Sequence, residues 1–321
     1  MPHSLFFRVT LLILIAPLAS AQSRPTGELR WPPADTGGAV EMAPVSVLDS
    51  VAAAPPGLLV MAHGGSGEWN DAVQAAVAPL RQRRPTTIAF GMADPHTLAQ
   101  ALDSLRVQGV GRVAVVRLFM DGDSFRHQTE YLLGLREDPP AEFVLHGSGH
   151  GTPAPLRHGL EIALSQRGLM EAEEVASILA ARAQGLSEAP ADEAVLVLAH
   201  GAGDEIKNAH WVVAMERLSG PLRRLGFHSV RVETLREDWP ERRAEAERRI
   251  RAFVEAEAES GHTVLVVPFR LFGFGPYREV LDGLTFRAAD TGLLPHGAVT
   301  DWLDTEYRAL AAREGWTVPA P

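Results

Sequence analysis

Two stretches of the chain repeat one succession of apolar and polar residues. The apolar run at residues 58–62 leads into His63-Gly64, and the run at 195–199 leads into His200-Gly201, so each copy ends in Ala-His-Gly. A further apolar run follows each copy, at 113–119 and at 264–272. Apolar runs of this length indicate strands buried on both faces, as in parallel sheets covered by helices. The repeated order predicts a duplicated α/β unit.

Segments with a helical spacing of apolar residues separate these runs. In the first half we predict strands at 58–62, 86–90, 112–119 and 142–146, helices at 69–83, 95–108 and 124–135, and a mostly helical segment at 153–185. In the second half we predict strands at 194–199, 228–235 and 263–269 and helices at 205–225, 241–260 and 297–313. This alternation predicts an α/β fold with two similar lobes, each a parallel sheet flanked by helices.

The first 21 residues have the pattern of a secretory signal peptide. Arg8 precedes an apolar run at 9–16, and Ala19-Ser20-Ala21 offers a small-residue cleavage site. The run is short for a membrane span, so we expect cleavage and export to the periplasm or medium, with an uncleaved anchor as the alternative. Residues 22–56 form a Pro-, Gly- and Ala-rich lead-in, and the two lobes are predicted at 57–187 and 190–315.

Charge and composition narrow the classes of partner. The 321 residues carry a formal net charge of −10, which argues against binding of nucleic acid, because phosphate contacts need a basic surface. The chain has no cysteine, so disulfides, thiolate metal sites and cysteine nucleophiles are excluded. Any metal must therefore be held by His, Asp, Glu or main-chain oxygen. Beyond the signal segment, no stretch is long and apolar enough to cross a membrane, and no pattern indicates an oligomeric state.

The carboxyl ends of parallel strands meet at one sheet edge, where open α/β proteins bind ligands. His63 follows the first strand at this edge, and the turn Gly64-Gly65-Ser66 lets a ligand approach the backbone closely. His127 follows the third strand at the start of a predicted helix. Two neutral imidazoles at one edge suit divalent Co, Ni, Fe or Zn. We predict a metal site at His63 and His127; the alternative for each is a hydrogen bond to a neighbouring loop.

Other patterns in the chain predict no further site. The glycine-rich turn after His63 lacks the GxxxxGK[ST] pattern of a phosphate loop, and the chain contains no G-x-S-x-G. The histidines at 146, 150 and 158 are interpreted as part of a glycine-rich loop, with metal binding as the alternative. Three others show no partner pattern and are predicted to be structural: His210, His228 and His262.

Several of these features together resemble the class II chelatases, above all the sirohydrochlorin cobalto- and ferrochelatases with two fused halves. They are the strand ending before His63, Asn70 seven residues later, the Leu-Phe turn at 118–119 that leads to His127, and the Ala-Asp-Pro-His phrase that opens residues 93–102. The resemblance covers about residues 58 to 304 and rests on the order and spacing of these motifs.

The resemblance implies insertion of a divalent metal, cobalt or iron with nickel as a further option, into a sirohydrochlorin-like tetrapyrrole. It places the tetrapyrrole in a cleft between the lobes and assigns metal binding and proton relay to His63 and His127. The turn Gly64-Gly65-Ser66 would shape the cleft. The metal is a substrate, and no organic cofactor is implied. Imidazole suits both roles, because near neutral pH it ligates a cation or accepts a proton.

The chain departs from the chelatase pattern at two places. Chelatases carry an acidic residue before the second helix, where this chain has Gly91-Met92-Ala93; Asp121, Asp123 or Glu68 are candidate substitutes. In the second half His200 has no counterpart of His127. Tyr277 and Arg278 are candidates to meet tetrapyrrole carboxylates, or else a packed tyrosine and a surface arginine.

These departures keep two alternatives open. The first is a non-catalytic, exported metal- or tetrapyrrole-binding protein of the same fold. The second is a metal-dependent hydrolase, which the sequence disfavours because it shows no cluster of three well-spaced His, Asp or Glu ligands.

Overall fold

The repeated apolar runs form the central strands of two parallel sheets. A computed structural model describes residues 54–144 and 152–319. The first half contains β1 (Gly57–Ala62), α1 (Gly67–Arg81), β2 (Thr86–Phe90), α2 (Pro95–Val107), β3 (Arg112–Leu118), α3 (Arg126–Leu132), β4 (Glu161–Leu164) and α4 (Glu174–Leu186). The second half contains β5 (Glu193–Ala199), α5 (Glu205–Leu218), α6 (Gly220–Arg224), β6 (Ser229–Thr234), α7 (Pro240–Glu259), β7 (Thr263–Phe269), α8 (Tyr277–Val280), β8 (Arg287–Ala288) and α9 (Gly297–Arg313).

The two sheets have the same topology. Their strand orders are β2-β1-β3-β4 and β6-β5-β7-β8, and every pairing is parallel. Ala62 pairs with Leu118 at the end of β1, and Ala199 pairs with Phe269 at the end of β5. The predicted α/β fold with two similar parallel sheets is confirmed, and His63 and His200 each follow the carboxyl end of a central strand.

Alternate residues of each central strand enter different cores. Leu58 and Val60 of β1 belong to a core that also contains Val195 and Val197 of β5, so the two halves share it. Leu59 and the other outward residues of β1 pack against α2 and α3, and the outward residues of β5 pack against α7 and α8. Because both faces are covered, the strands read as unbroken apolar runs.

Two helices, α4 and α9, pack against the half to which they do not belong in sequence. Helix α4 closes the first half, yet its main strand contact is β7 of the second sheet. Helix α9 closes the second half, yet it packs on β3, β4 and α1. From α9, the Tyr307 hydroxyl donates to the Pro56 carbonyl at 2.8 Å and the Thr300 hydroxyl to the Ala76 carbonyl at 2.7 Å. The predicted boundary between lobes, at residues 187–190, falls between α4 and β5.

The fourth strand of the first sheet lies elsewhere than the sequence predicted. Residues 142–144 form no strand, and 145–146 lie outside the described residues. The strand is β4, inside the segment predicted to be mostly helical, where Ile162 pairs with Val113 and Leu164 with Val115. Only the last two residues of β4 are buried, so its apolar signal is too short to stand out beside the helical spacing that follows.

The helix predicted at 205–225 is two helices. α5 ends at Leu218, and α6 starts at Gly220 with Pro221 in its first turn. Proline has no N–H to donate and its ring clashes with the carbonyl four residues earlier, so Pro221 favours the start of a new helix over continuation of α5.

The predicted signal peptide and nearly all of the lead-in lie outside the described residues, so cleavage and export stay predictions. Among the helices that the structure describes, none combines the length and the apolar character needed to span a bilayer.

Candidate functional site

The two Ala-His-Gly turns have the same backbone conformation. Gly64 has φ +77° and Gly201 has φ +80°, values that favour glycine because a side chain is strained there. A Cβ on Gly201 would also lie 2.7 Å from the Thr234 Cβ and 2.8 Å from the Asn208 Oδ1. The glycine after each histidine is therefore required by the turn.

An asparagine from the following helix holds each turn in place. The Gly65 N–H donates to the Asn70 Oδ1, and the Ala202 N–H donates to the Asn208 Oδ1, both at 3.1 Å. The sequence singled out Asn70 through the resemblance but missed Asn208. The spacing could have identified Asn208, which follows His200 by eight residues, while Asn70 follows His63 by seven.

The turn fixes the orientation of the His63 imidazole. Its Nδ1 lies 2.6 Å from the Gly64 carbonyl, which only accepts, so Nδ1 carries the proton in this contact. The Trp69 indole stacks on the ring, with centroids 5.5 Å apart. In the neutral imidazole, Nε2 is then the nitrogen with a free lone pair, which can bind a cation or accept a proton.

His200 repeats this arrangement and adds a carboxylate. Its Nδ1 lies 2.8 Å from the Gly201 carbonyl, and its Nε2 lies 3.1 Å from Oδ2 of Asp238. Both nitrogens thus face oxygens that only accept. Such a pair is satisfied by an imidazolium or by a cation held between Nε2 and Oδ2.

His63 and His200 line the same cleft, at the carboxyl edges of both sheets. The cleft has a volume of about 730 Å³, within the range of small-molecule sites. Aromatic and other apolar side chains make up most of its walls: Trp69, Met92, Leu118, Phe119, Met120, Phe125, Trp211, Trp239 and Leu271. The resemblance predicted a cleft between two lobes, and the structure has one formed by both halves.

Charged side chains of both signs also line the cleft. Lys207 Nζ of the second half lies 2.8 Å from Oδ2 of Asp121 in the first half, an ion pair that joins the two. Arg270 lies 3.5 Å from Glu237. Cations that can meet an anionic ligand therefore stand beside carboxylates that can meet a metal.

Asp238 and Glu237 are cleft residues that the sequence analysis missed. They follow β6 and precede Pro240 at the start of α7, which is the position that Gly91-Met92-Ala93 occupies after β2 of the first half. In the first copy the acidic residue before the proline-started helix is Asp94, whose carboxylate caps α2; in the second copy Glu237 and Asp238 line the cleft.

His127 lies at the start of α3, as predicted, but it does not line the cleft. Its side chain is half exposed, and Nδ1 lies 2.9 Å from Oε2 of Glu130, one turn further along the helix. The two histidines that line the cleft are instead His63 and His200. Metal binding by His127 stays a prediction from the resemblance.

The glycine-rich turn lies at the side of the cleft. Gly64, Gly65 and Ser66 are not among the lining residues, whereas their counterparts Gly201, Ala202 and Gly203 are. Ser66 caps α1, with its hydroxyl accepting from the Trp69 N–H at 3.3 Å. A role of the first turn in ligand binding stays a prediction.

The two aspartates proposed as substitutes for the missing acidic residue lie in different environments. Asp121 is buried at the cleft, while Asp123 is exposed and pairs with Arg126.

Tyr277 is fully buried, and burial together with the nearby Glu237 carboxylate raises its pKa well above the usual range. Arg278 lies outside the cleft lining and pairs with Asp290. The packed tyrosine and the surface arginine are therefore the correct interpretation. The histidines at 146 and 150 lie outside the described residues.

Comparison with known proteins identifies relatives by structure. No protein-family model and no curated protein sequence matches the chain. SirB from Bacillus subtilis with Fe³⁺ superposes with a TM-score of 0.60 at 14% identity, covering 81% of this chain and 98% of that one. The sirohydrochlorin chelatase SirB from Bacillus subtilis subspecies spizizenii in complex with cobalt gives 0.52 at 14% identity, covering 81% and 97%. The fold is therefore class II chelatase-like, as the resemblance predicted.

Proposed function

We propose that this protein binds a divalent metal ion in the cleft between its two sheets and inserts it into a sirohydrochlorin-like tetrapyrrole. The observation that carries the proposal is the pair formed by His63 and His200. Both come from the same position of the repeat, both line one cleft, and both use Nδ1 for a backbone carbonyl. Nε2 is then the metal-binding atom in each, with Asp238 beside that of His200. The chelatase-like fold supports the same activity.

The chemistry requires groups that hold a cation and groups that take up protons. Insertion replaces two pyrrole N–H protons by one divalent ion, so two protons leave for each metal that enters. The Nε2 atoms of His63 and His200 are suited to ligate the incoming ion. The Asp238 carboxylate beside His200 balances its charge and accepts one proton as the ion moves on, and an imidazole Nε2 that has released the ion accepts the other.

The walls of the cleft suit a flat macrocycle with an acidic rim. Trp69 and Trp239, each against one of the two histidines, offer indole surfaces from opposite halves. Lys207 and Arg270 are placed to attract peripheral carboxylates, in competition with their present partners Asp121 and Glu237. Cobalt or iron, with nickel third, are the metals we propose, and export is the proposed location.

A non-catalytic carrier is the second candidate, and one observation favours it. Asp121, the best-placed carboxylate of the first half, is neutralised by Lys207, and the loop at 91–93 offers no carboxylate. The first half therefore binds through His63 without an acidic partner of its own. A protein that holds a metal or a tetrapyrrole without exchanging protons needs nothing more.

An insertion assay tests the proposal. Protein lacking the first 21 residues is mixed with Co²⁺ or Fe²⁺ and sirohydrochlorin, and metallation is followed by absorbance. We expect a rate above the uncatalysed background and a loss of about 100-fold in His63→Ala, His200→Ala and Asp238→Asn, the scale of a lost ligand or general base.

His210→Ala is the matched control, because His210 is exposed on α5 and does not line the cleft. His127→Ala tests the role of His127. If this variant inserts metal at the wild-type rate, His127 does not belong to the site. A wild-type protein no faster than the background would end the chelatase proposal. Metal binding that the His63 and His200 substitutions abolish would then favour the carrier.

A further inference from the structure

A second group of metal-binding side chains lies at the opposite end of the second sheet. His228 immediately precedes β6, His262 immediately precedes β7, and Glu257 lies in the last turn of α7. These are the amino ends of the strands, whereas the cleft lies at the carboxyl ends. The sequence analysis predicted that the two histidines were structural and unpartnered; the fold brings them together.

The ligand atoms of the three side chains lie close together. Nδ1 of His262 lies 2.8 Å and Nε2 of His228 lies 3.9 Å from the same carboxylate oxygen, Oε2 of Glu257. The imidazole rings are stacked, with centroids 3.6 Å apart. One ligand atom from each residue lies within 4.8 Å of the others, and in the part of the chain that the structure describes no other trio of His, Asp or Glu meets this condition.

The surrounding backbone holds these groups in place without a metal. The His228 N–H donates to the carbonyls of Pro190 and Glu193 at 3.0 and 2.9 Å, which fixes the start of β6. The His262 N–H donates to the Glu257 carbonyl at 2.9 Å. The Ser229 hydroxyl donates to Oε1 of Glu257 at 2.7 Å, so this second oxygen is satisfied and Oε2 is turned to the histidines.

We propose that His228, Glu257 and His262 form a second metal site, which takes one divalent transition ion of the Zn²⁺, Co²⁺ or Ni²⁺ class. Ligand atoms around tetrahedral zinc, with bonds of about 2.0 Å, are about 3.3 Å apart. The observed separations of 2.8 and 3.9 Å from Oε2 lie on either side of that value. To bind the ion, the two stacked imidazoles must turn apart so that both lone pairs face it, and a water completes four ligands. Two nitrogens and one oxygen favour these metals over Mg²⁺ or Ca²⁺.

An ion at this place would attach α7 to the sheet. Helix α7 is 20 residues long but buries only Ala246, Ile250 and Val254. Its last turn carries Glu257, and the metal would connect that turn to the starts of β6 and β7. Because the folded protein binds the ion and the unfolded chain lacks the preformed site, the site stabilises the second half.

The test counts metal sites and assigns each one. Protein without its first 21 residues is stripped with a chelator and titrated with Zn²⁺ by calorimetry. The double variants are His228→Gln with His262→Gln, and His63→Gln with His200→Gln; His210→Gln is the control. We expect the cleft double variant to keep the proposed site, and its melting temperature to rise with Zn²⁺. The variant at 228 and 262 should lose that site and that rise, with affinity falling at least about 100-fold.

Two single substitutions test the same site in case the double variant at 228 and 262 does not fold. Glu257→Gln keeps an oxygen for the Ser229 hydroxyl but removes the charge, and Ser229→Ala removes only the group that orients Glu257. We expect the second to weaken Zn²⁺ binding about 10-fold, as lost support of a ligand does. Zn²⁺ binding unchanged in the variant at 228 and 262, or absent from the cleft double variant, would overturn the second site. Neither result bears on insertion in the cleft, which the rate assay measures separately.

Discussion

At the residue scale, the two Ala-His-Gly turns differ in what reaches Nε2. Backbone, glycine conformation and the Nδ1 contact are the same in both copies. Only His200 has a carboxylate at Nε2, because the loop after β6 carries Asp238 where the loop after β2 carries Gly91-Met92-Ala93. A duplication with one conserved backbone has thus given two imidazoles of different character to one cleft.

The asparagines behind the turns provide a matched pair of substitutions. Ala202 and Asn208 are buried, while Gly65 is exposed. Asn208→Ala leaves a buried N–H without an acceptor, and we expect it to lower the free energy of unfolding by about 2 kcal/mol. In Asn70→Ala water replaces the lost acceptor, and we expect a loss below about 1 kcal/mol. Urea unfolding of both variants measures the difference; equal losses would show that burial of the turn does not set the cost.

At the element scale, α9 is held on the first half by a buried ion pair. Arg84, almost fully buried after α1, pairs with Asp304 of α9 and lies over the Tyr307 ring at 3.9 Å. Burial opposes ionisation of Asp304, but hydrogen bonds from Arg308 and Arg84 and their charges outweigh it. They hold the pKa of this carboxyl below its usual value.

Acid should therefore weaken the docking of α9. A carboxyl with a depressed pKa contributes its full stability above the unfolded value of about 3.9 and loses it as the pH falls through the folded value. We expect Asp304→Asn to lower the free energy of unfolding by about 2 kcal/mol at pH 7, which is the scale of lost charged hydrogen bonds. This difference from the wild type should shrink towards pH 3.

Urea unfolding between pH 3 and 7 measures this, with Asp103→Asn as the control. Asp103 is exposed in its pair with Arg106, and exposed pairs contribute little. A cost of Asp304→Asn that stays constant from pH 7 to 3 would contradict the assignment.

The elements that the sequence predicted correctly are those with a long apolar signal. β1 and β5 are buried along their whole length, so their runs of five or more apolar residues stand out. β4 and β8 have four and two residues and depend on their neighbours for pairing, which no local pattern reveals. The histidines at the strand ends were predictable for the same reason as the strands. The contact of Asp238 with His200 was not, because it joins loops 38 residues apart.

At the scale of the whole molecule, the exchange of α4 and α9 makes each half depend on the other. An amphipathic pattern shows that a helix has an apolar face but not which sheet covers it, so the exchange was not predictable. Each half alone would leave part of one face of its sheet, and the apolar face of its last helix, exposed to water.

Cutting the chain between the halves tests this dependence. A protease site inserted at the exposed Ala189 would divide the chain into one fragment that ends there and one that starts at Pro190. We expect the fragments to stay together after cleavage in native buffer, because the shared core and the exchanged helices hold them. Each fragment made alone should aggregate or lack a cooperative unfolding transition. A first fragment that unfolds cooperatively by itself would contradict the prediction.

The exchange also bears on the origin of the chain. α4 and α9 occupy the same place in the two copies, each following the fourth strand, and each covers the sheet of the other copy. Two separate chains that traded their last helices would form a domain-swapped dimer with this arrangement. Joining the end of one to the start of the next gives the present molecule. The single chain thus has the arrangement of a swapped homodimer, and its two halves now differ, with Asp238 in the second and His127 in the first.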